Sequence, residues 1–84
     1  MENATVYFAD NSSITLSEGE IIFSIIKEIE NNETFAFKKQ PVRLGVNIHD
    51  GVINDLLNIF SDCSFFCVGN EDTIYSVSSI VKIQ

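Results

Sequence analysis

The sequence predicts an α+β domain: an antiparallel sheet of about five to six strands, in the order ββαββαββ, with two helices packed on one face. Three observations lead to this prediction. Short runs of β-branched and aromatic residues alternate with polar ones, as in half-buried strands. Two other segments repeat apolar residues at helical spacing, and turn-forming residues separate the runs. The 84 residues leave room for one small domain, so residues 1–84 are expected to form a single α+β domain.

The first two strands are predicted to form a hairpin. Residues 4–9 are β-branched and aromatic, and they place Val6 and Phe8 on one face. The cluster Asp10-Asn11-Ser12-Ser13 is typical of a turn, because these side chains bond the local backbone and Asn tolerates a left-handed conformation. Residues 14–16 then return as a short second strand.

A first helix is predicted over residues 18–31. Ser17 and Glu20 match the Ser-x-x-Glu capping box, in which each side chain bonds the other residue's backbone amide. Asn31, Asn32 and Glu33 are expected to end the helix. The apolar residues that follow the cap form one stripe of a helix with 3.6 residues per turn: Ile21, Ile22, Ile25, Ile26 and Ile29.

A second strand–strand–helix unit is expected to follow. Residues 34–39 alternate, with Phe35 and Phe37 facing inward, and Pro41 breaks the run. Residues 42–48 alternate as a half-buried strand. A helix over residues 51–61, with Asp50 or Asn47 as its cap, carries an apolar stripe of Ile53, Leu56, Leu57 and Phe60.

Two strands are predicted to close the domain. Residues 63–68 form the first, residues 69–72 form a turn, and residues 73–83 form a long last strand with Tyr75, Val77, Val81 and Ile83 on one face. In such a strand Cys63 and Cys67 lie roughly 13 Å apart. That separation exceeds the reach of a disulfide, so both cysteines are expected to be reduced.

No motif for catalysis or cofactor binding is present. His49 is the only histidine, and no nucleophile motif surrounds it. The four glycines are scattered, so no phosphate-binding loop is predicted. A zinc site needs four ligands, which this sequence does not group. We therefore expect a protein that is not an enzyme and that binds no metal or cofactor.

The net charge of the chain argues against two classes of partner, nucleic acid and anionic membranes. Twelve acidic residues against five basic ones give a net charge of −7. Nucleic acid and anionic membranes both attract basic surfaces, so direct binding to either is not expected. The beginning of the sequence lacks the basic and apolar regions of a signal peptide, so we expect a cytoplasmic protein.

The acidic residues themselves are the candidate site. Carboxylates spaced ~6–8 Å apart imitate DNA phosphates and attract a basic channel through salt-sensitive steering. With both helices on one side of the sheet, their outer faces would form a carboxylate-rich surface. The candidate partner-binding residues are Glu20, Glu28, Glu30, Glu33, Asp55, Asp62, Glu71 and Asp72.

In size, charge and composition the chain resembles the small acidic proteins with which phages inhibit host nucleases, including anti-CRISPR inhibitors. This resemblance implies a non-enzymatic inhibitor or modulator of a basic, nucleic-acid-handling protein. The alternative is a structural module that self-assembles through sheet edges or an exposed aromatic face formed by Tyr7, Phe66 and Val68. A domain this small gains stability by self-association, so a homodimer is expected.

Overall fold

The computed structural model describes residues 2–45 and 51–84. Those residues form eight strands and one α-helix, with a single turn of 3₁₀-helix near the end of the chain. His49, the predicted cap residues Asp50 and Asn47, and residues 46–48 of the predicted strand over 42–48 lie outside the described residues. The elements in chain order are β1 (Asn3–Phe8), β2 (Ser13–Ser17), β3 (Ile21–Glu30), β4 (Glu33–Lys38), β5 (Val42–Arg43), α1 (Gly51–Phe60), β6 (Phe65–Val68), β7 (Tyr75–Ser76), the 3₁₀ turn (Val77–Ser79) and β8 (Ile80–Ile83).

The predicted fold class is wrong, because the described residues form two sheets and one helix in place of one sheet and two helices. The first sheet has the order β2-β1-β8. The second has the order β4-β3-β6-β7, and the short β5 also pairs with β3. The strand pairings within both sheets are antiparallel, as expected.

The predicted helix over residues 18–31 is a strand, β3. Five of its ten residues are isoleucines, whose branched side chains lose rotamer freedom in a helix and pack well on a sheet. The Ser17-x-x-Glu20 motif closes a turn between β2 and β3: the Ser17 N–H donates to Glu20 Oε1 at 3.0 Å, and the Glu20 N–H donates to the Ser17 carbonyl at 3.1 Å. Gly19 has a φ of +93°, which this turn requires and a helix does not.

The predicted end of that helix is the two-residue turn of a hairpin. Asn31 and Asn32 have φ values of 53° and 65°, and Glu30 lies directly opposite Glu33. Two consecutive residues with positive φ define the hairpin turn whose twist matches that of the flanking strands. The chain therefore reverses at Asn31 and continues as β4.

The first hairpin is confirmed. Val6 and Phe8 are buried on one face of β1, and Leu16 of β2 joins them. On the opposite face of this sheet the Lys82 ammonium lies 4.6 Å from the centre of the Tyr7 ring. The core between the two sheets and the helix comprises Ala4, Val6, Phe8, Leu16, Ile22, Leu44, Val52, Leu56, Ile59, Phe66 and Val68.

The second predicted helix is confirmed as α1, although its buried face differs from the predicted one. Val52, Leu56 and Ile59 are buried, whereas Ile53 and Leu57 are exposed. The start of the helix is fixed by a residue far away in sequence, since the Val52 N–H donates to the Glu2 carboxylate. A carboxylate at this end also interacts favourably with the helix dipole.

The predicted last strand over residues 73–83 is interrupted. Its first part, β7, pairs with β6, and its last part, β8, pairs with β1 in the other sheet. The 3₁₀ turn between them lets the chain change sheets, so Val81 is exposed and does not share a buried face with Tyr75. Tyr75 stacks on Phe8 at 5.3 Å and on Phe66 at 5.0 Å between ring centres, and thereby links the two sheets.

Candidate functional site

The hairpin of β3 and β4 extends beyond the rest of its sheet. Strand β6 pairs with β3 only from Ile22 to Ile25, whereas β4 pairs with β3 from Ile25 to Glu30. Beyond Ile25 the described sheet is therefore only two strands wide, and we call residues 26–38 the arm. From Lys27 onward every arm residue is exposed, and the structure measures 45 × 28 × 22 Å along its three axes.

The two faces of the arm carry opposite charges. Side chains directly opposite each other in an antiparallel pair share a face, so the pairing of β3 with β4 assigns each residue to one side. The acidic face contains Ile26, Glu28, Glu30, Glu33, Phe35 and Phe37. The lysine face contains Lys27, Ile29, Thr34, Ala36 and Lys38.

Three of the eight predicted site residues are brought together on the acidic face. Glu28 and Glu30 are two positions apart on β3, which spaces them about 7 Å along the strand. Glu33 lies directly opposite Glu30. Like charges in this position destabilise a sheet, so the arm carries an electrostatic cost that a cationic partner would remove.

The same face also exposes two aromatic rings. Phe35 and Phe37 were predicted to face inward, and this prediction is wrong: they are 39% and 46% exposed. Their ring centres are 6.4 Å apart. The prediction failed because a helix was expected over residues 18–31, where the structure has the strand β3 that pairs with β4 and extends beyond the rest of the sheet. The signal that reveals the arm is the Asn31-Asn32 pair between two runs of β-branched and aromatic residues.

The lysine side chains on the opposite face are held over aromatic rings at the base of the arm. The Lys27 ammonium lies 4.9 Å from the centre of the Phe65 ring, and the Lys38 ammonium lies 5.3 Å from the centre of the Phe23 ring. These contacts are favourable cation–π interactions. They direct both charges away from the carboxylates of the acidic face, so the two faces stay electrostatically distinct.

The other five predicted site residues lie apart from the arm's acidic face. Glu20 is half-buried in the turn before β3. Asp55 accepts a hydrogen bond from the Gly45 N–H at 2.7 Å, and Asp62 forms an ion pair with Lys39. Asp55 and Asp62 line a groove of about 370 Å³ between α1 and the base of the arm. Glu71 and Asp72 are exposed in the turn after β6.

The predicted aromatic face is not exposed. Phe66 has no exposed surface and Val68 has 7%, because both residues lie in the core between the sheets. Only Tyr7 of that set is on an outer face, where Lys82 covers its ring. The sequence alone does not predict the burial of Phe66 and Val68, since this burial depends on which strands and helix cover β6.

Two cysteines provide the only thiols of the chain, and both are free. Cys67 is buried, and partial burial raises the pKa of the Cys63 thiol above its ordinary value. A raised pKa lowers the thiolate fraction at neutral pH, so Cys63 lacks the activation of a catalytic nucleophile.

Within residues 2–45 and 51–84 no three His, Cys, Asp or Glu side chains are grouped closely enough to hold a metal ion. The helix in this part of the chain is too short to span a membrane. Comparison of the sequence and the structure with family models, curated proteins and solved structures gives no match. The arm, with its acidic face and its two exposed rings, is therefore the candidate functional site of the described residues.

Proposed function

We propose that this chain is a small, non-enzymatic binding protein that docks the acidic face of its arm onto a basic, nucleic-acid-handling protein and inhibits or modulates it. The observation that carries the proposal is the placement of Glu28, Glu30 and Glu33 on one exposed face together with Phe35 and Phe37. The surface is narrow enough to enter a groove, since the arm is only two strands wide.

The carboxylates supply attraction and orientation. Their spacing of about 7 Å along β3 is close to the distance between successive phosphates of a DNA strand. A groove lined with Arg and Lys to hold a phosphate backbone therefore offers counter-charges at matching intervals. Such complementarity raises the rate of association and makes it depend strongly on salt.

The two phenylalanines supply the affinity that charge alone does not. Exposed ion pairs contribute only ~0–1 kcal/mol each. Covering the exposed part of an aromatic ring contributes roughly 1–2 kcal/mol. An arginine that stacks on Phe35 or Phe37 while it bonds a neighbouring carboxylate would use both features of the face at once.

The proposal is tested with a variant that removes charge from the arm and a control that removes it elsewhere. Glu28→Gln with Glu30→Gln neutralises two acids of the acidic face. Glu71→Gln with Asp72→Asn makes the same charge change in the turn after β6. Tagged wild type, arm variant and control are each used to capture proteins from a bacterial lysate, with and without competing duplex DNA.

We expect the wild type and the control to retain a basic nucleic-acid-binding protein that DNA displaces. With that protein purified, the arm variant is expected to bind about 10- to 100-fold more weakly, with a smaller dependence on salt. Phe35→Ala should weaken binding at high salt as well as at low salt. Equal retention by the arm variant and the wild type, or no displacement by DNA, would contradict the proposal.

A further inference from the structure

The outer edge of β4 offers unpaired backbone groups. The Lys39 N–H donates to the Ser24 carbonyl at 2.9 Å, which continues the ladder between β4 and β3. Since backbone groups point alternately to the two sides of an antiparallel strand, residues 33, 35 and 37 also point toward β3. Thr34, Ala36 and Lys38 therefore direct their N–H and C=O groups outward, and no strand of the described residues pairs with them.

The sequence of this edge is self-complementary. Around Ala36 it has a phenylalanine on each side, at positions 35 and 37, and opposite charges three positions away, at Glu33 and Lys39. A strand with this symmetry matches a second copy of itself running in the opposite direction. This is the property that an interface with two-fold symmetry requires.

We propose that two copies of this chain pair edge to edge through β4, antiparallel, on a two-fold axis that passes through Ala36. In this register Ala36 lies opposite Ala36 of the partner subunit, and Thr34 lies opposite the partner's Lys38. These positions carry the outward backbone groups, so three hydrogen-bonded pairs form with about six backbone hydrogen bonds.

The side chains favour this register over its neighbours. Phe35 lies opposite the partner subunit's Phe37, and Glu33 lies opposite the partner subunit's Lys39; each contact occurs twice. A shift of the partner by two residues places Glu33 opposite the partner's Phe37, and Lys39 then faces no acid of the partner and keeps only its ion pair with Asp62 of its own subunit. Because a net charge of −7 on each copy opposes association, the paired register needs these local opposite charges.

Pairing also stabilises the arm. A two-stranded ribbon exposed on both faces is marginally stable in water, and three or more strands are needed for independent stability. The dimer turns two such ribbons into one sheet of four strands. It uses the edge of β4 together with the side chains of Glu33, Phe35 and Phe37, and it leaves Glu28 and Glu30 of both copies exposed on one face. The dimer does not rest on the proposed function; its four-stranded sheet is wider than the two-stranded arm that enters a groove, so the monomer is the form that binds the partner.

The proposal is tested by the mass of the wild type and of charge-swapped variants in sedimentation. We expect the wild type to show a concentration-dependent monomer–dimer equilibrium. The variants are made in an Asp62→Asn background, because Asp62 pairs with Lys39 in the same subunit. In that background Glu33→Lys and Lys39→Glu should each weaken the dimer about 10-fold, since each places like charges opposite each other twice. The double variant Glu33→Lys with Lys39→Glu restores opposite charges across the interface and is expected to recover the dimerisation of Asp62→Asn alone.

A second pair of variants tests the register. Ala36→Cys brings two thiols together at the axis, with Cα atoms about 5.5 Å apart, within disulfide range. Thr34→Cys places them about 14 Å apart, so it should not cross-link. Three results would each overturn the proposal: a protein that stays monomeric from micromolar to millimolar concentration, a double charge variant that does not recover, or an intersubunit disulfide that forms in Thr34→Cys and not in Ala36→Cys.

Discussion

Replacing Glu30 by lysine should stabilise the arm, although it removes an acid from the proposed binding face. Glu30 lies directly opposite Glu33 near the tip of the arm, where both side chains are exposed. Two unit charges about 6 Å apart in water interact by about 0.7 kcal/mol, and physiological salt roughly halves that value. Glu30→Lys turns a repulsion of about 0.3 kcal/mol into an equal attraction, a total change of about 0.7 kcal/mol.

The assay for this change is native-state hydrogen exchange of the arm amides. The arm is expected to open locally, without unfolding of the core, so a global unfolding measurement would miss the effect. The Phe35 and Phe37 N–H groups, which point toward β3, should exchange about 3-fold more slowly in the variant. In ~1 M salt, where the screening length falls to ~3 Å, the difference should nearly disappear.

Glu71→Lys is the matched control, because it makes the same change in net charge within an exposed turn. It should leave the exchange of the arm amides unchanged. A Glu30→Lys variant that gave these amides no added protection, or a gain in protection that persisted at high salt, would show that repulsion between Glu30 and Glu33 does not weaken the arm. Weaker partner binding in a variant whose arm is more stable would separate binding from folding.

The remaining predictions concern the helix start and the aromatic contacts of the core. Gly51 has a φ of +75°, and a Cβ at this position would lie 2.7 Å from Glu2 Oε1. Gly51→Ala should therefore strain the backbone and displace the Glu2 carboxylate from the start of α1. We expect the free energy of unfolding in urea to fall by about 1.5–3 kcal/mol. Glu2→Gln, which keeps an acceptor, should cost less than about 1 kcal/mol by the same measurement; an equal loss would contradict this account. Burial, and then the charge of Glu71, raises the pKa of Tyr75 above its ordinary value of 10.0. The folded state therefore holds the proton of the Tyr75 hydroxyl more tightly than the unfolded state does. The contribution of this difference to the free energy of unfolding is present below pH 10.0 and is lost as the pH rises through the pKa of Tyr75 in the folded state. Tyr75→Phe keeps the ring, so its free energy of unfolding should fall less than that of the wild type between ~pH 8 and ~pH 11; parallel pH curves would contradict this assignment.

The local sequence predicts an element's conformation correctly where residues close in sequence determine it. The strand β1 alternates between buried and half-buried residues, and the helix α1 follows from its apolar repeat. The turn after β6 follows from Gly69 and its polar neighbours, and the Glu71 N–H donates to the Val68 carbonyl within it. In each case one element's own pattern determines its conformation.

The pattern of residues 21–30 alone does not determine their conformation. Their isoleucines fit both a helical stripe and a strand, and the apparent capping box at Ser17 and Glu20 forms an equally good β-turn. The choice depends on pairing with β4 and β6, which lie later in the chain. Periodicity within one segment cannot report a partner strand, and β-propensity is weak until such a partner exists.

By itself the sequence determined the charge, the absence of catalytic motifs and the acidic character of the candidate surface. Only the tertiary structure decided which acids act together. It engages Glu20, Asp55 and Asp62 in internal contacts, buries Phe66, and collects Glu28, Glu30 and Glu33 beside two exposed rings. The physical reason is that a residue's neighbours on a sheet face are set by strand pairing over long sequence separations, which no local pattern encodes.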